Sequence, residues 1–321
     1  MVTIDIIVPC YNEEAVLKHF FEVCDGVMQG LEKYTYRFLF VNDGSRDRTL
    51  AILQELAAAH SQVKYLSFSR NFGKESAMYA GFCYSTADLV IVMDADLQHP
   101  PAMIPDMLKG IEKGYDCCAA MRTTREGESA VHSFFSRAFY RLNNRMSKVK
   151  LPQGAVDFRI MRRPMVDAIL QLSEVERFSK GIFAWVGFDT KWYPYENVER
   201  TMGTSKWNFS SLFSYAMDGM TSFSTVPLRL VSGLGLVISF VAFIYILITL
   251  IQTMIFGIDV PGYVTTLCAV LFLGGVIELS IGVLGEYLGH MYKETKHRPL
   301  FIIKQSNLDA EEKEAGHERE D

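Results

Sequence analysis

The sequence has few of the features that mark disulfide-rich or nucleic-acid-binding proteins. Its six cysteines are scattered and include no C-x-x-C pair, which favours reduced, buried thiols over a disulfide framework. The formal net charge is −5, so a nucleic-acid partner is not expected. No signal peptide is expected either, because the chain begins with a strand-like segment.

Charged residues are also scarce between positions 226 and 288, although they make up 21% of the whole chain. Two apolar segments in this region, 228–256 and 264–288, are each long enough to cross a bilayer. The turn between them has no Lys or Arg, whereas basic residues precede the first segment and follow the second. The positive-inside rule therefore predicts a multi-pass protein with both termini in the cytoplasm.

The first 93 residues alternate between short apolar runs and helical patterns, which predicts an α/β fold with a mostly parallel, doubly wound sheet. The expected strands span 4–9, 36–41, 63–68 and 87–93, and the expected helices span 13–31, 47–59 and 74–84. In such sheets, ligands bind at the carboxyl ends of the strands.

Polar clusters follow three of the expected strands. They are Tyr11-Asn12-Glu13, Asn42-Asp43-Gly44-Ser45 and Asp94-Ala95-Asp96. The paired carboxylates of the third cluster are hard oxygen ligands, which suit Mg²⁺ or Mn²⁺ bridging a diphosphate. Any one cluster could be an ordinary turn. Their convergence on one edge of the sheet favours a binding site.

Two further segments have the periodicity of amphipathic helices. In residues 128–147, Arg137, Arg141 and Arg145 recur on one face, which is typical of a helix lying on an anionic membrane. A surface helix packed on its own core is the alternative. Residues 209–223 lead directly into the first apolar segment, which favours a position at the membrane interface.

Four motifs, taken in this order, resemble those of the inverting family 2 glycosyltransferases with the GT-A fold. They are VPCYNEE (8–14), NDGS (42–45), DADLQ (94–98) and RTMGTSK (200–206). Within that family, the two apolar segments and LGEYLG (284–289) resemble the polyprenyl-phosphate branch, which includes dolichyl-phosphate mannose synthase and the bactoprenol glucosyltransferases. The Gln-x-x-Arg-Trp motif of processive polymer synthases is absent.

The resemblance implies roles for particular residues. The donor nucleotide would be bound by Pro9, Tyr11, Glu13, Asp43, Asp94, Arg200, Ser205 and Lys206, with Asp43 accepting hydrogen bonds from uracil. Mg²⁺ or Mn²⁺ would be held by Asp96, Asp94 and Gln98, with Asp96 the firmer ligand. The segment 69–74 resembles a loop near the donor, in which Arg70 and Lys74 would shape the site without doing chemistry.

The catalytic residues implied by the resemblance are Asp157, Asp94 and Asp96. Asp157 matches the candidate base, but a phosphate acceptor is already an anion, so Asp157 could instead orient substrates. A salt bridge to Arg159 is the alternative. The acceptor phosphate would be bound by Arg122 and Arg137, with Arg125 and Arg141 as close competitors.

These residues imply transfer of a hexose, with glucose expected, from a UDP-sugar to undecaprenyl phosphate at the cytoplasmic face of the bacterial inner membrane. Another donor (UDP-N-acetylglucosamine, GDP-mannose or an aminoarabinose nucleotide) would use the same chemistry. A non-catalytic membrane scaffold is the alternative from another class. The implied partners are the nucleotide sugar, undecaprenyl phosphate, membrane lipids, a flippase, a downstream glycosyltransferase and a second copy of the chain.

The same interpretation divides the chain into four parts. Residues 1–206 would form the cytoplasmic catalytic domain, 207–226 an interfacial amphipathic helix, and 227–290 a two-helix transmembrane anchor. Residues 291–321 would form a largely disordered cytoplasmic tail, because they are rich in acidic residues.

Overall fold

The computed structural model describes residues 1–123, 154–172, 174–196, 226–256 and 262–319. The strands are β1 (Val2–Cys10), β2 (Tyr34–Asn42), β3 (Val63–Phe68), β4 (Leu89–Val92), β5 (Cys117–Arg122), β6 (Ala155–Arg162), β7 (Thr190–Tyr195) and β8 (Ile303–Ser306). The helices are α1 (Leu17–Gln29), α2 (Thr49–Ala59), α3 (Lys74–Tyr84), α4 (Ile104–Glu112), α5 (Arg163–Leu170), α6 (Ser179–Trp185), α7 (Val226–Phe256), α8 (Tyr263–Glu294) and α9 (Ala310–His317).

The strands form one mixed sheet in the order β7-β5-β6-β4-β1-β2-β3-β8. The four central strands, β4, β1, β2 and β3, are parallel neighbours. Strand β6 is antiparallel to both β4 and β5, and β8 is antiparallel to β3. The predicted α/β fold with a mostly parallel sheet is therefore confirmed, with β6 and β8 as the reversed strands.

Both faces of the sheet are covered. Along β1, Ile6 and Val8 pack with residues of α1, α2 and α4, whereas Ile7 packs with residues of α3, α5 and α6. Because successive side chains point to opposite faces and both faces are buried, the central strands are continuous apolar runs. This is why the first four strands could be predicted from the sequence.

The first helix begins later than the sequence pattern indicates. It was predicted from residue 13, but α1 begins at Leu17 and has no acidic residue in its first turn. The carbonyl oxygen of Glu13 accepts hydrogen bonds from the backbone of Val16 and Leu17, and its N–H donates to Thr49 Oγ1 at 2.9 Å. Residue 13 is thus held in the loop after β1 by its contact with α2.

The prediction of a largely disordered C-terminal tail is wrong for the residues described. Strand β8 extends the sheet beyond β3, and Asn307 bonds to the backbone of Tyr65 (2.6 Å) and Val63 (3.1 Å). Phe301 and Leu308 are buried. The acidic composition predicted a solvated, disordered segment. The segment is instead ordered by partners that lie more than two hundred residues earlier in the chain, and composition does not reveal such partners.

Helix α9 packs against α3, where a Cβ on Gly316 would lie 2.3 Å from the ring of Tyr84. Beside this contact lies the Arg37 cluster, which consists of Arg37, Asp5 and Glu312. The guanidinium of Arg37 donates to both carboxylates, with its Nε 2.5 Å from Asp5 Oδ1. The cluster therefore links β1, β2 and α9.

Helices α7 and α8 contain 31 and 32 residues and coincide with the two predicted apolar segments. Within the described residues, the stretch Phe272–Glu294 of α8 is the one that is long and apolar enough to cross a membrane. Helix α7 contains a shorter apolar stretch, Val231–Tyr245. The end of α8 contacts the loop between α5 and α6, because Val175 N–H donates to Glu294 Oε1 at 2.8 Å.

Several predictions fall outside the described residues. They are the two amphipathic helices at 128–147 and 209–223, and the residues Arg125, Arg137, Arg141, Arg200, Ser205 and Lys206.

Candidate active site

The loops that follow β1 and β2 brace each other at the carboxyl edge of the sheet. Asn12, with φ of 56°, donates its N–H to Ser45 Oγ at 2.9 Å and accepts the N–H of Arg46 at 2.9 Å. These side chains replace the backbone partners that loop residues lack. The loops carry three of the predicted nucleotide-binding residues, Tyr11, Glu13 and Asp43, and a fourth, Pro9, lies near the end of β1.

Asp43 is buried and holds the turn that precedes α3. Its carboxylate accepts the N–H of Phe72 at 2.6 Å and that of Gly73 at 2.9 Å. Burial raises the pKa of Asp43 to about 6, while the two N–H groups and Arg70 act in the opposite direction. Its predicted contact with uracil stays a prediction, and the structure adds this second role.

Gly44 allows the same turn to approach β2. It has φ of +63°, and a Cβ there would lie 2.3 Å from the carbonyl carbon of Arg70. A side chain would therefore be strained and would also collide with the turn. The Asn42-Asp43-Gly44-Ser45 segment thus positions the start of α3 through both backbone and side-chain contacts.

Lys74, the first residue of α3, joins two of the predicted catalytic carboxylates. Its Nζ lies 2.6 Å from Asp94 Oδ1 and 2.6 Å from Asp157 Oδ2. Strands β4 and β6 pair up to Val92 and Arg159, so Asp94 and Asp157 each lie two residues beyond the last pair. We call these three residues the Lys74 bridge.

The expected alternative for Asp157, a salt bridge to Arg159, is not the contact observed. The guanidinium of Arg159 donates to the backbone carbonyl oxygens of Asp157 at 3.3 Å and Val156 at 2.8 Å. It also lies over the ring of Phe183, 3.7 Å from the centroid. Arg159 therefore supports the backbone of β6, and the Asp157 carboxylate binds Lys74.

The charges of the Lys74 bridge stabilise one another. Burial alone would raise the pKa of Asp94, but Lys74 and His99 outweigh it and hold that pKa below its usual range. Burial likewise opposes ionisation of Asp157, yet Lys74 and Lys180 lower its pKa. Desolvation opposes the charge on Lys74, and the two carboxylates still raise its pKa. All three groups are therefore charged near neutral pH.

His99 and Tyr195 extend the bridge and were missed by sequence reasoning. His99 Nε2 lies 3.7 Å from Asp94 Oδ2, and its Nδ1 is 2.7 Å from the Tyr195 hydroxyl. The imidazole also stacks on Phe158, with an interplanar angle of 17°. His99 could have been suspected because it lies three residues after Asp96, whereas Tyr195 comes from β7 and has no local signal.

Glu75, also missed, lies beside the bridge. Its carboxylate accepts hydrogen bonds from the backbone N–H (3.1 Å) and the hydroxyl of Ser179 at the start of α6. Burial and the nearby charge of Asp157 raise the pKa of Glu75 to about 7, although Ser179 and Lys74 act in the opposite direction. A carboxylate at this position holds α6 next to α3.

Asp96 and Gln98 form a tight turn beyond the bridge. Gln98 donates its N–H to Asp96 Oδ1 at 3.1 Å, and Leu97 between them has φ of 55°. The described residues contain no group of three or more His, Cys, Asp or Glu side chains arranged to hold a metal ion. Mg²⁺ usually needs only one or two carboxylates, with substrate phosphates and water completing its shell. The residues present fit that arrangement.

Arg122 ends β5 on the same side of the sheet. Its backbone N–H donates to the carbonyl oxygen of Gly154 at 2.9 Å. Burial raises the pKa of Tyr195 to about 12, the charge of Arg122 lowers it, and Asp94 and Asp96 raise it further. Arg122 therefore lies within electrostatic range of Tyr195, and its contact with an acceptor phosphate stays a prediction.

The sequence is similar to known proteins over most of its length. Residues 5–170 match the model of glycosyl transferase family 2, and residues 226–291 match that of the GtrB C-terminal hairpin. The chain is 50% identical over 305 residues to the putative glycosyltransferase CsbB of Bacillus subtilis, which covers 95% of this chain and 92% of that protein.

A second relative is the bactoprenol glucosyl transferase of Shigella phage SfV, which is 41% identical over 94% of this chain and 98% of its own length. Among solved structures, glucosyl-3-phosphoglycerate synthase of Mycobacterium tuberculosis, in complex with Mn²⁺, UDP-glucose and phosphoglyceric acid, aligns with a TM-score of 0.46. It is 17% identical and covers 68% of this chain and 78% of that chain.

Proposed function

Because the chain belongs to glycosyl transferase family 2, we propose that it transfers a hexose from a UDP-sugar to undecaprenyl phosphate. Glucose is the expected sugar, since relatives over nearly the whole chain are named bactoprenol glucosyl transferases. The observation that carries the proposal is the pair of carboxylates Asp94 and Asp157, bridged by Lys74 at the carboxyl edge of the sheet. The transfer inverts the anomeric centre.

The donor nucleotide binds at the ends of β1, β2 and β4. The residues that we propose for it are Pro9, Tyr11, Glu13, Asp43 and Asp94, together with Arg200, Ser205 and Lys206. Asp96, Asp94 and Gln98 would hold Mg²⁺ or Mn²⁺ together with the diphosphate. A bound divalent ion neutralises the negative charge that develops on the departing nucleoside diphosphate.

The acceptor phosphate is already an anion, so its approach depends on orientation more than on proton removal. Asp157 contacts the same Lys74 ammonium as Asp94 and would orient the sugar or the acceptor. Arg122 and Arg137 would bind the phosphate, because a guanidinium presents paired donors to its oxygens.

The helical hairpin would anchor the enzyme in the bacterial inner membrane. At 1.5 Å per residue, helices of 31 and 32 residues exceed the roughly 30 Å hydrocarbon core. We propose that both cross it, with residues 1–206 and both termini in the cytoplasm. Gly274, Gly275 and Gly282 would permit close helix contact with a second copy of the chain. The product would pass to a flippase and a further glycosyltransferase.

A donor panel tests the reaction directly. Detergent-purified protein is incubated with undecaprenyl phosphate, Mg²⁺ and radiolabelled UDP-glucose, UDP-N-acetylglucosamine, GDP-mannose or an aminoarabinose nucleotide. We expect label in the lipid fraction from UDP-glucose, and none when undecaprenyl phosphate is omitted. Label from a different donor would show that the transferred sugar is the one that donor carries. If no donor gives lipid-linked label, the enzymatic function is contradicted.

A further inference from the structure

Lys74 lies between a donor-side and an acceptor-side carboxylate, although the motifs give it no chemical role. We propose that Lys74 is a positioning residue for the transfer, whose ammonium sets the spacing of Asp94 and Asp157. Each carboxylate oxygen is 2.6 Å from the same nitrogen, so the two oxygens lie at most twice that distance, 5.2 Å, apart. This inference rests on the proposed function.

The two carboxylates need such a residue because the sheet brings them together. The last β4–β6 pair lies two residues from each carboxylate, and two like charges that both lie 2.6 Å from one nitrogen repel each other. A cation between them offsets the repulsion and draws both side chains toward one point. Sugar transfer requires donor and acceptor groups to be held in one geometry, and a misplacement of about 1 Å can cost about 100-fold in rate.

The position of the ammonium is itself set by the backbone. Lys74 directly follows Gly73, whose φ is +98°, and the N–H groups of Phe72 and Gly73 are held by the Asp43 carboxylate. The end of β2 therefore determines where α3 begins and where its first side chain lies. Through this turn, Asp43 influences where the Lys74 ammonium holds Asp94 and Asp157.

The fold of α3 does not depend on the Lys74 ammonium. The side chain of Lys74 is 43% exposed, whereas Ala77 and Met78 of the same helix are fully buried against the sheet. Ser76 Oγ donates to the carbonyl oxygen of Phe72 at 3.1 Å and supports the first turn independently. A substitution of Lys74 can therefore leave α3 folded while releasing the two carboxylates.

Kinetics of Lys74→Met and Lys74→Arg provide the first test. We expect Lys74→Met to lower kcat by about 100-fold with little change in KM for the nucleotide sugar. Lys74→Arg keeps the positive charge but places it at a different distance from the backbone. Its kcat should therefore lie between that of Lys74→Met and that of wild type. The matched control is Lys109→Met, since Lys109 forms an exposed ion pair with Asp106, 2.7 Å away on α4.

Binding of Mn²⁺ with UDP, followed by electron paramagnetic resonance, provides a readout that needs no turnover. Removing the ammonium beside Asp94 removes a competing cation, so Lys74→Met should bind Mn²⁺ and UDP at least as tightly as wild type. If Lys74 were merely structural, the Lys74→Met variant would show a weaker affinity for Mn²⁺ and UDP together with a lower melting temperature.

The outcomes separate the two proposals. Wild-type kcat in Lys74→Met, or a loss of Mn²⁺ and UDP binding in proportion to activity, would overturn the positioning role. Should Lys74→Met fail to fold, Lys74→Arg decides, because full wild-type kcat there would show that the spacing does not matter. If wild-type protein transfers no sugar, the proposed function fails, and the binding measurement still tests Lys74.

Discussion

Helix α3 has a cluster of charged side chains at each end, and the two clusters differ in how many cations face their carboxylates. At its C-terminal end, the Arg37 cluster also donates to the carbonyl oxygen of Tyr84 and lies beside Lys64, 3.9 Å from Glu312. At its N-terminal end, the Lys74 bridge contains two carboxylates for one ammonium, with Asp96 two residues further along.

The difference separates a cluster that holds the fold from one that we propose binds a ligand. In the Arg37 cluster, cations of the chain itself neutralise the carboxylates, and three distant segments are joined. The Lys74 bridge and Asp96 lie at the edge of the sheet with more carboxylates than bridging cations. Carboxylate oxygens at such an edge are the ligands that a divalent cation bound to a diphosphate prefers. The four predictions that follow test this contrast.

The largest effect is expected at the N-terminal end. Asp96→Ala should lower the transfer rate by about 1000-fold, as removal of one electrostatic stabiliser of a transition state typically does. The melting temperature should stay near that of wild type, because the hydrogen bond from Gln98 to Asp96 lies within a local turn. The measurement is lipid-linked label per minute, with Asp106→Ala on α4 as the exposed control. Retained activity would exclude Asp96 from the metal site.

At the C-terminal end, the effect should be on stability alone. Arg37→Met leaves Asp5 and Glu312 without their common partner, which should lower the free energy of unfolding by about 3 kcal/mol. Activity per folded molecule should not change. Chemical unfolding at pH 7 measures this, with the exposed Arg48→Met as control. A loss of kcat in the folded fraction would show that the two ends of α3 are coupled.

Glu75, next to the Lys74 bridge, predicts a pH dependence. Its pKa is raised to about 7 from an ordinary 4.5, so the folded state binds its proton more tightly than the unfolded chain does. Its contribution to stability is present below pH 4.5 and is lost as pH rises through 7. Glu75→Gln removes this dependence, so the variant should gain on the order of 2 kcal/mol relative to wild type between pH 5 and 8. Parallel stability curves for the two proteins would contradict the assignment.

The smallest effect concerns the segment that completes the Arg37 cluster. Asp309 and Glu312 form a capping box at the start of α9, in which Asp309 N–H donates to Glu312 Oε2 at 3.0 Å. Asp309→Ala should cost about 1 kcal/mol and leave transfer unchanged. Hydrogen exchange of the α9 amides measures the local loss, and Glu311→Ala is the matched control. Unchanged exchange would mean that packing on α3 alone holds α9.

Much of the fold could be predicted because the central strands have a simple pattern. Strands buried on both faces are continuous apolar runs, and the sequence places β1 to β4 to within about two residues. The candidate residues after those strands meet at one edge, as parallel pairing requires. The prediction for the tail was wrong because β8 and α9 are held by both polar and apolar contacts with β3 and α3, and these distant partners leave no local signature.

The sequence by itself determined the parallel core, the edge that carries the candidate site and the two long apolar helices, since each depends on a pattern within one segment. Only the tertiary structure decided that Asp157 binds Lys74 instead of its neighbour Arg159, that His99 and Tyr195 support Asp94, and that the acidic tail returns to the sheet. Lys74 and Asp157 are 83 positions apart. Such contacts depend on how α3 packs across the sheet, which no local pattern encodes.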